Sequence, residues 1–521
     1  MNSSPSLYDS VFGNKDLISL IFNYNTTKEL LTSLNKVHSK WNTAITTYPE
    51  IWKGSSLELS SKQIIKGKDL YYPRSTCKWI ENISILMPHS FGEKENKDFV
   101  YQLEQFFSLF LKLESLELNL SQISLVDLIL TRIFRVYPLF KLNSVHITTQ
   151  EEGLQPLHDL FYQLWLLIIY KKFSNLNKVV VEKHNIQIES LRVLAPYLRF
   201  LILKECGITD PKNLKVLNQL KSLECLYLDL HIAGIDKINL LLSDEEKEKK
   251  EYLFVLEDKK ELKEVHLSND AIPYISCFYD SHFPSLSKFS LSQNLYYYAL
   301  SSCSHSVLFS RFTFLHQLKS LKLENFQQKY FLPLSLFESL KQVENLELTN
   351  CDIESSDVLG KTFYSSHSTD LCSPYFSKTL KSLTVIGCHI NFNKREIDYL
   401  SKLTPLQLNL TYLLLSHPNL TYLRLEETRV LFDQQKENLL ALSSCSKLQL
   451  VEIKNCMIVD DFNWDRFFVL IRNNLRFLSI IPEWPKEDLK EFSSLLVSPE
   501  KISNLLPKEY KWQKGIFKKN N

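Results

Sequence analysis

The sequence predicts an α/β repeat solenoid, a horseshoe with parallel strands on its concave face, entered through a small all-α module. Three observations point there. The spacing LxxLxL, with aliphatic or Phe substitutions, recurs from Ile80 to Leu475. A chain of 521 residues exceeds what one compact core holds, whereas a stack grows along one axis. The first fifty or so residues lack that spacing and carry helical periodicity instead. These features divide the chain into a helical module at 1–55, repeats at 56–481 and a C-terminal cap with a basic tail at 482–521.

In the N-terminal module, Asn14 to Tyr24 reads as a short helix with Leu17, Ile18, Ile21 and Phe22 apolar. Thr26 and Glu29 have the spacing of a capping box. The helix that follows places Leu30, Leu31, Leu34, Val37 and Trp41 on one stripe. Ile51 and Trp52 close the module ahead of the strand-like Ser55 to Ser60. Too small to be secure alone, it needs a partner or the first repeat to cover its apolar faces. DLISLIFNY at Asp16 to Tyr24, KELL at Lys28 to Leu31, VHSKW at Val37 to Trp41, and IW at Ile51 and Trp52 together resemble the F-box family in order and spacing. Gly13 and Asn14 stand where that family has Leu-Pro, and His38 where it has Cys. The bland alternative is an N-terminal cap over the first repeat.

Leu198 to Leu223 is one complete repeat. Leu198, Leu201 and Leu203 predict a strand with one buried face; Cys206 and Ile208 turn inward after it. Asp210 and Pro211 suit a helix start, and Leu214, Leu217 and Leu220 follow at near-helical spacing. Such a unit cannot bury its own apolar face, so neighbours stack on both sides. The block LxxLxLxxCxI resembles the leucine-rich repeat family. Repeat starts fall at Ile80, Leu113, Leu142, Leu176, Leu198, Leu223, Leu262, Leu286, Leu318, Val343, Leu380, Leu420, Leu448 and Leu475. Cys recurs at the ninth position as Cys206, Cys351, Cys388 and Cys456, and Asn294 fills it once. A thiol or amide there can hydrogen-bond the loop backbone, so these cysteines read as internal ladder residues rather than metal or redox groups.

The starts lie about 22 to about 40 residues apart, so the longer repeats carry enlarged loops or helices. Ser243 to Glu264, with interleaved Glu and Lys, suits a solvated helix; Ser365 to Ser377 reads as a loop. Thr404 to Pro418 is ambiguous, because Leu410, Leu413 and Leu415 also fit the spacing. Between the buried Leu positions, alternate residues line the concave sheet. The candidates for binding there are Tyr227, Asp229, Lys322, Glu324, Tyr422, Arg424, Glu426, Glu452 and Lys454. Lys178, Glu182, Glu264, His266 and Phe477 share that face.

After Ile481 the repeat is lost among prolines, and the final KWQKGIFKKNN reads as basic and frayed. With 61 basic and 59 acidic side chains, no nucleic-acid partner is expected. Leu160 to Tyr170 is about half a bilayer span and reads as a repeat's helix, so no membrane partner is expected either. The start lacks a secretory pattern and the 10 Cys include no CxxC pair, which together point to a reducing, intracellular setting, cytoplasmic or nuclear. No phosphate loop, nucleophile elbow or zinc-protease helix is found, and no cofactor, metal site or catalytic residue is expected.

The order of a helical F-box-like module and leucine-rich repeats resembles the family that combines the two. That resemblance implies a non-catalytic substrate-recognition subunit of a Skp–cullin–F-box ubiquitin ligase, monomeric outside its complex. Leu17, Ile21, Phe22, Leu30, Leu31, Val37, Trp41 and Trp52 would then hold the Skp adaptor and, through it, cullin. The repeats would hold an unidentified protein substrate. A scaffold or inhibitor built of the same repeats is the rival reading.

Overall fold

The computed structural model describes residues 30, 49–52, 55–60, 64, 78–87, 93–110, 112–120, 123–134, 139–149, 160–170, 172–208, 211–232, 256, 259–269, 283–292, 313–326, 332, 334–354, 379–391, 403–405, 407–410, 413–414, 417–431, 447–458, 477–482, 510–513 and 516–519. The chain forms two compact units, Met1–Ile238 and Asn239–Asn521. The division falls just before the charged Ser243 to Glu264 insertion.

Unit 1 is built on β1 (Ser56–Ser60), β2 (Asn82–Leu86), β3 (Ser115–Leu120), β4 (Ser144–Thr149), β5 (Lys178–Glu182), β6 (Phe200–Ile208) and β7 (Cys225–Ile232). Each strand pairs in parallel with the next, in a register interrupted only by a shift between Leu203 and Cys206 on β6. The LxxLxL spacing explains the register: a one-residue slip would turn every Leu outward. Thus Leu57, Ile83, Leu116, Val145, Val179, Leu201 and Leu226 form one buried column, and Leu59 through Leu228 another. The return segments cover that face: α1 (Glu93–Phe107), α2 (Ile123–Leu128), running on as a π-helical turn to Ile133, and α3 (Leu160–Ile169). Shorter repeats have room only for 3-10 turns, at Ile188–Leu194 and Pro211–Gln219. Behind the strands, Phe107, Phe134 and Phe173 stack with centroids 5.2 Å apart at each step.

Unit 2 contains, in chain order, β8 (Glu264–Asn269), β9 (Lys288–Ser292), β10 (Ser320–Glu324), α4 (Leu334–Ser339), β11 (Asn345–Thr349), β12 (Asp352–Glu354), β13 (Ser382–Ile386) and β14 (His389–Asn391). Then come β15 (Leu403–Pro405), β16 (Gln407–Asn409), β17 (Tyr422–Glu426), β18 (Arg429–Leu431), β19 (Leu450–Ile458), β20 (Phe477–Pro482), β21 (Tyr510–Gln513) and β22 (Ile516–Lys519). The parallel ladder runs β8–β9–β10–β11–β13–β17–β19–β20. Every repeat start read from the sequence is followed, after one intervening residue, by one of the parallel strands of the two units.

Counting the first Leu of each block as position 1, the backbone between repeats follows one scheme. The position-2 carbonyl accepts from the next repeat's position-2 and position-3 amides. Glu344 O, for example, takes Lys381 N at 2.7 Å and Ser382 N at 2.9 Å, and Lys381 O takes Thr421 N and Tyr422 N. At position 8 the chain turns with positive φ, at Lys183 (60°), Glu205 (50°), Asn325 (63°), Asn350 (50°), Gly387 (57°), Glu427 (53°) and Asn455 (49°). A Lys or Glu there costs about 1–2 kcal/mol, and Asn less. The compensation is structural: the position-8 amide donates to the next repeat, as Lys183 N does to Lys204 O (2.9 Å) and Asn350 N to Ile386 O (2.7 Å). The thiol at position 9 then points inward. Cys206 Sγ donates to Val181 O at 3.3 Å and Cys351 Sγ to Thr349 O at 3.2 Å, both thiols fully buried. Burial pushes the Cys206 thiol up to about 12, as suits an inert ladder residue.

Three expectations change. The tail read as frayed instead forms the antiparallel hairpin β21–β22, with β22 antiparallel to β20 at the end of the ladder. Pairing the ladder's last edge outweighs the self-repulsion of its lysines. Thr404 to Pro418 is no repeat, since β13 pairs directly with β17. Instead β15 runs antiparallel to β14, and β16 joins β18 in a second row beside the main ladder. The helical return after Pro211 is a 3-10 turn, because nine residues must span back to β7.

Candidate functional site

The residues proposed for the Skp adaptor fall in two groups. Leu17, Ile21, Phe22, Leu31, Val37 and Trp41 lie outside the described residues. Leu30 is 2% exposed and Trp52 0%, the latter ending the 3-10 turn Pro49–Trp52 whose carbonyl accepts from Ser55 N at 2.9 Å. Both side chains are buried.

The outward face of the ladder is set by strand alternation: positions 4 and 6 are buried, while positions 3, 5 and 7 face out. All nine residues read from the sequence as candidates lie on that face. Tyr227 and Asp229 are on β7, Lys322 and Glu324 on β10, Tyr422, Arg424 and Glu426 on β17, and Glu452 and Lys454 on β19. Parallel pairing brings the last five together, with Arg424 opposite Glu452 and Glu426 opposite Lys454. Tyr422 Oη donates to Glu452 Oε1 at 3.2 Å, Lys454 Nζ to Glu452 Oε2 at 2.5 Å and Arg424 Nη2 to Glu426 Oε2 at 2.9 Å. Burial alone would raise the Glu452 carboxyl. The Lys454 hydrogen bond and charge, with Tyr422 and Arg424, outweigh it and hold the group below the usual carboxylate range. Burial and the same carboxylate raise the Tyr422 phenol. A second knot joins Lys322 to Glu347 (2.8 Å) and Glu324 (3.5 Å).

Unit 1 carries a cluster that the sequence reading missed. His146 Nδ1 lies 3.5 Å from Glu117 Oε1, and its Nε2 lies 3.4 Å from Glu182 Oε1. Lys204 Nζ reaches Glu182 at 2.6 Å, and the Thr148 hydroxyl donates to it at 3.4 Å. Burial pulls the Glu182 carboxyl up, but Lys204, His146 and Thr148 together bring it below its ordinary value. Thr148 Oγ1 is also 3.1 Å from His146 Nε2. The order Glu117–His146–Thr148 has the connectivity of a nucleophile relay. It lacks the rest of one: the hydroxyl proton goes to Glu182, and the amides of β4 are committed to the ladder on both sides, so no donors are left for an oxyanion.

Beside it the face turns apolar. Val180, Ile202 and Tyr227 stand opposite one another across β5, β6 and β7, with Phe200 and Cys225 in the adjoining row. The charges of Lys178, Glu182, Lys204 and Asp229 surround them, an apolar centre inside a polar rim. KVVVE, FLILK and CLYLD are apolar on both faces, which is the signal that could have revealed this strip. Among the described residues, no group of three or more His, Cys, Asp and Glu could hold a metal ion, and no helix is long and apolar enough to cross a membrane.

No protein-family model and no curated protein matches the chain. Similar solved structures include an internalin from Listeria monocytogenes (14% identity, TM-score 0.33, covering 68% of this chain and 79% of that one). Others are the plant peptide hormone receptor RGFR1 in complex with RGF2 (12%, 0.29, 84% and 57%) and the LRIM1/APL1C complex (11%, 0.29, 85% and 65%). The chain thus spans under two thirds of the length of the latter two. The leucine-rich repeat character of both units rests on their own parallel register, buried columns and repeated turn.

Proposed function

We propose that the chain is a non-catalytic protein-binding subunit, and that it acts as the substrate-recognition adaptor of a Skp–cullin–F-box ubiquitin ligase inside the cell. The observation that carries the adaptor role is the ordered run DLISLIFNY, KELL, VHSKW and IW immediately ahead of the repeats. The outward strand positions support the binding role, since side chains on a rigid ladder are held in fixed rows. In this reading the module holds the Skp adaptor through Leu17, Ile21, Phe22, Leu31, Val37 and Trp41, while Leu30 and Trp52 hold the module's own core together. The repeats present a target's lysines to an enzyme carried elsewhere in the complex. Raised effective concentration, rather than a base or nucleophile, then supplies the rate.

Binding of the purified chain to the Skp adaptor tests this directly. Micromolar or tighter binding, lost in a folded Phe22→Ala/Trp41→Ala variant, is expected. A folded wild-type chain that does not bind would end the ligase role. The burial of Leu30 and Trp52 favours the second reading in that case: a leucine-rich repeat scaffold whose N-terminal residues only cap the first strand.

A further inference from the structure

The end of unit 1 at which β2 to β5 begin carries cations and exposed rings. Lys112 Nζ sits 3.8 Å from the centre of the Trp79 ring, and Lys78 Nζ 4.9 Å from it. One repeat on from Lys112, Phe140 is 55% exposed and Lys141 beside it is exposed too. The loop that presents this ring is held: the Phe140 carbonyl accepts from Ser174 Oγ at 3.0 Å and from Asn175 Nδ2 at 2.9 Å. Lys172, half-buried, lies on the return segment of the following repeat, three residues ahead of that row's position at Asn175. The strand ladder keeps these groups in order, since Asn143 N and Ser144 N both donate to Glu114 O. Successive repeats therefore place them about 5 Å apart along the edge.

Three cations near strand starts elsewhere have carboxylate partners, while Lys447 donates to Asn419 Oδ1 at 2.9 Å. Arg199 is paired with Glu224, Lys381 with Glu344 at 2.6 Å, and Lys288 with Glu264 at 3.6 Å. Among the described residues no such ion pair joins Lys112, Lys141 or Lys172 to a carboxylate; Lys112 lies on an aromatic face instead. We propose that this edge, Lys78 to Lys172 with Trp79 and Phe140 between, is a docking surface for an acidic polypeptide segment that also carries an apolar side chain. The lysines supply the charge complement and Phe140 the apolar contact. Glu81 and Glu114 stand among the lysines. A continuous phosphodiester would meet these two carboxylates, whereas a peptide with spaced acidic residues need not. The edge is separate from the outward face of the strands, and the proposal holds or fails independently of the adaptor role.

Fluorescence anisotropy with the full chain and a labelled peptide of alternating Glu and Leu is the test. The expected result is saturable binding that weakens with added salt, falls about tenfold or more in Lys112→Glu/Lys141→Glu, and falls severalfold in Phe140→Ser. Lys215→Glu/Lys288→Glu, with the same charge change elsewhere, should bind as the wild type does. Thermal melting checks each variant's fold, and Lys112→Gln/Lys141→Gln replaces the reversal if that variant melts early. Equal binding of a Gln-Leu peptide, unchanged binding by the folded double variant, or tighter binding of a single-stranded oligonucleotide would each overturn the proposal.

Discussion

The two units present different outward faces on strands of the same kind. In unit 1 the outward row passes from the Glu117–His146–Glu182 cluster to Val180's column, where Val180, Ile202 and Tyr227 follow one another. In unit 2 the corresponding row runs His266, Ser290, Lys322, Glu347, Thr384, Arg424 and Glu452, and its charges are tied to one another. Solvated ion pairs on a sheet contribute little to stability and even less to affinity unless a partner excludes water from them. Apolar side chains on an open strand row, by contrast, gain free energy whenever a partner covers them. The two units thus differ in what their outward rows expose: an apolar strip in unit 1 and paired charges in unit 2.

The largest effects should leave the comparison intact, because the buried columns are common to both units. Leu203→Ala and Leu348→Ala each truncate a fully buried Leu and should cost about 2–5 kcal/mol, read as local loss of hydrogen-exchange protection in unit 1 and unit 2 respectively. Equal loss in both units from either variant would mean the units do not unfold separately. Next comes the turn. Gly387 has φ +57°, and a Cβ there would lie 2.5 Å from Asn350 Oδ1, so Gly387→Ala should destabilise unit 2 by about 1–3 kcal/mol. Adding Asn350→Ala should restore part of the loss in a denaturation midpoint, because it removes the clash but not the strain.

Acid should act on both units through one histidine each. Burial lowers His184 in unit 1 to about 4, and burial with the Lys322 charge lowers His266 in unit 2 to about 4. In the unfolded chain both titrate near 6.5, so unfolding takes up protons between those values. Stability is complete above about pH 6.5 and falls as the pH drops towards 4. NMR titration of Lys322→Met should move His266 upward and leave His184 where it is; a shift in both would dissolve the distinction. The smallest effect belongs to the surface pairs. Lys454→Ala should change stability by about 0.2–1 kcal/mol, while Ile202→Asp should cost binding of any protein ligand far more than it costs folding.

The repeat positions were legible because the Leu spacing is a local signal, repeated in every unit and enforced by burial. The turn at position 8 was only partly legible, since Gly387, Asn325, Asn350 and Asn455 are of types that favour positive φ, whereas Lys183, Glu205 and Glu427 give no hint of it. The apolar strip needed the register that sets Val180 beside Ile202 and Tyr227, and the His146 cluster needed residues from four repeats brought side by side. The hairpin Tyr510–Lys519 escaped notice because four-residue strands carry too little alternation to outweigh a basic composition. The ring of side chains proposed for the Skp adaptor is a matter of motif order, and of its members only Leu30 and Trp52 are placed, in the core.

The shared carbonyl at position 2 and the turn amide at position 8 fasten each repeat to the next at both ends of its strand. Beyond the turn some repeats add further bonds, as Asp352 N does to Phe326 O at 2.6 Å and β12 beside β14, while the spacing between successive repeat starts varies from one repeat to the next. Repeats of different length nonetheless keep the same strand register. Peptide epitopes or whole small domains grafted into the stretch after β7 or β11 should leave the strand register as it is, which makes this chain a carrier onto which new sequence can be spliced.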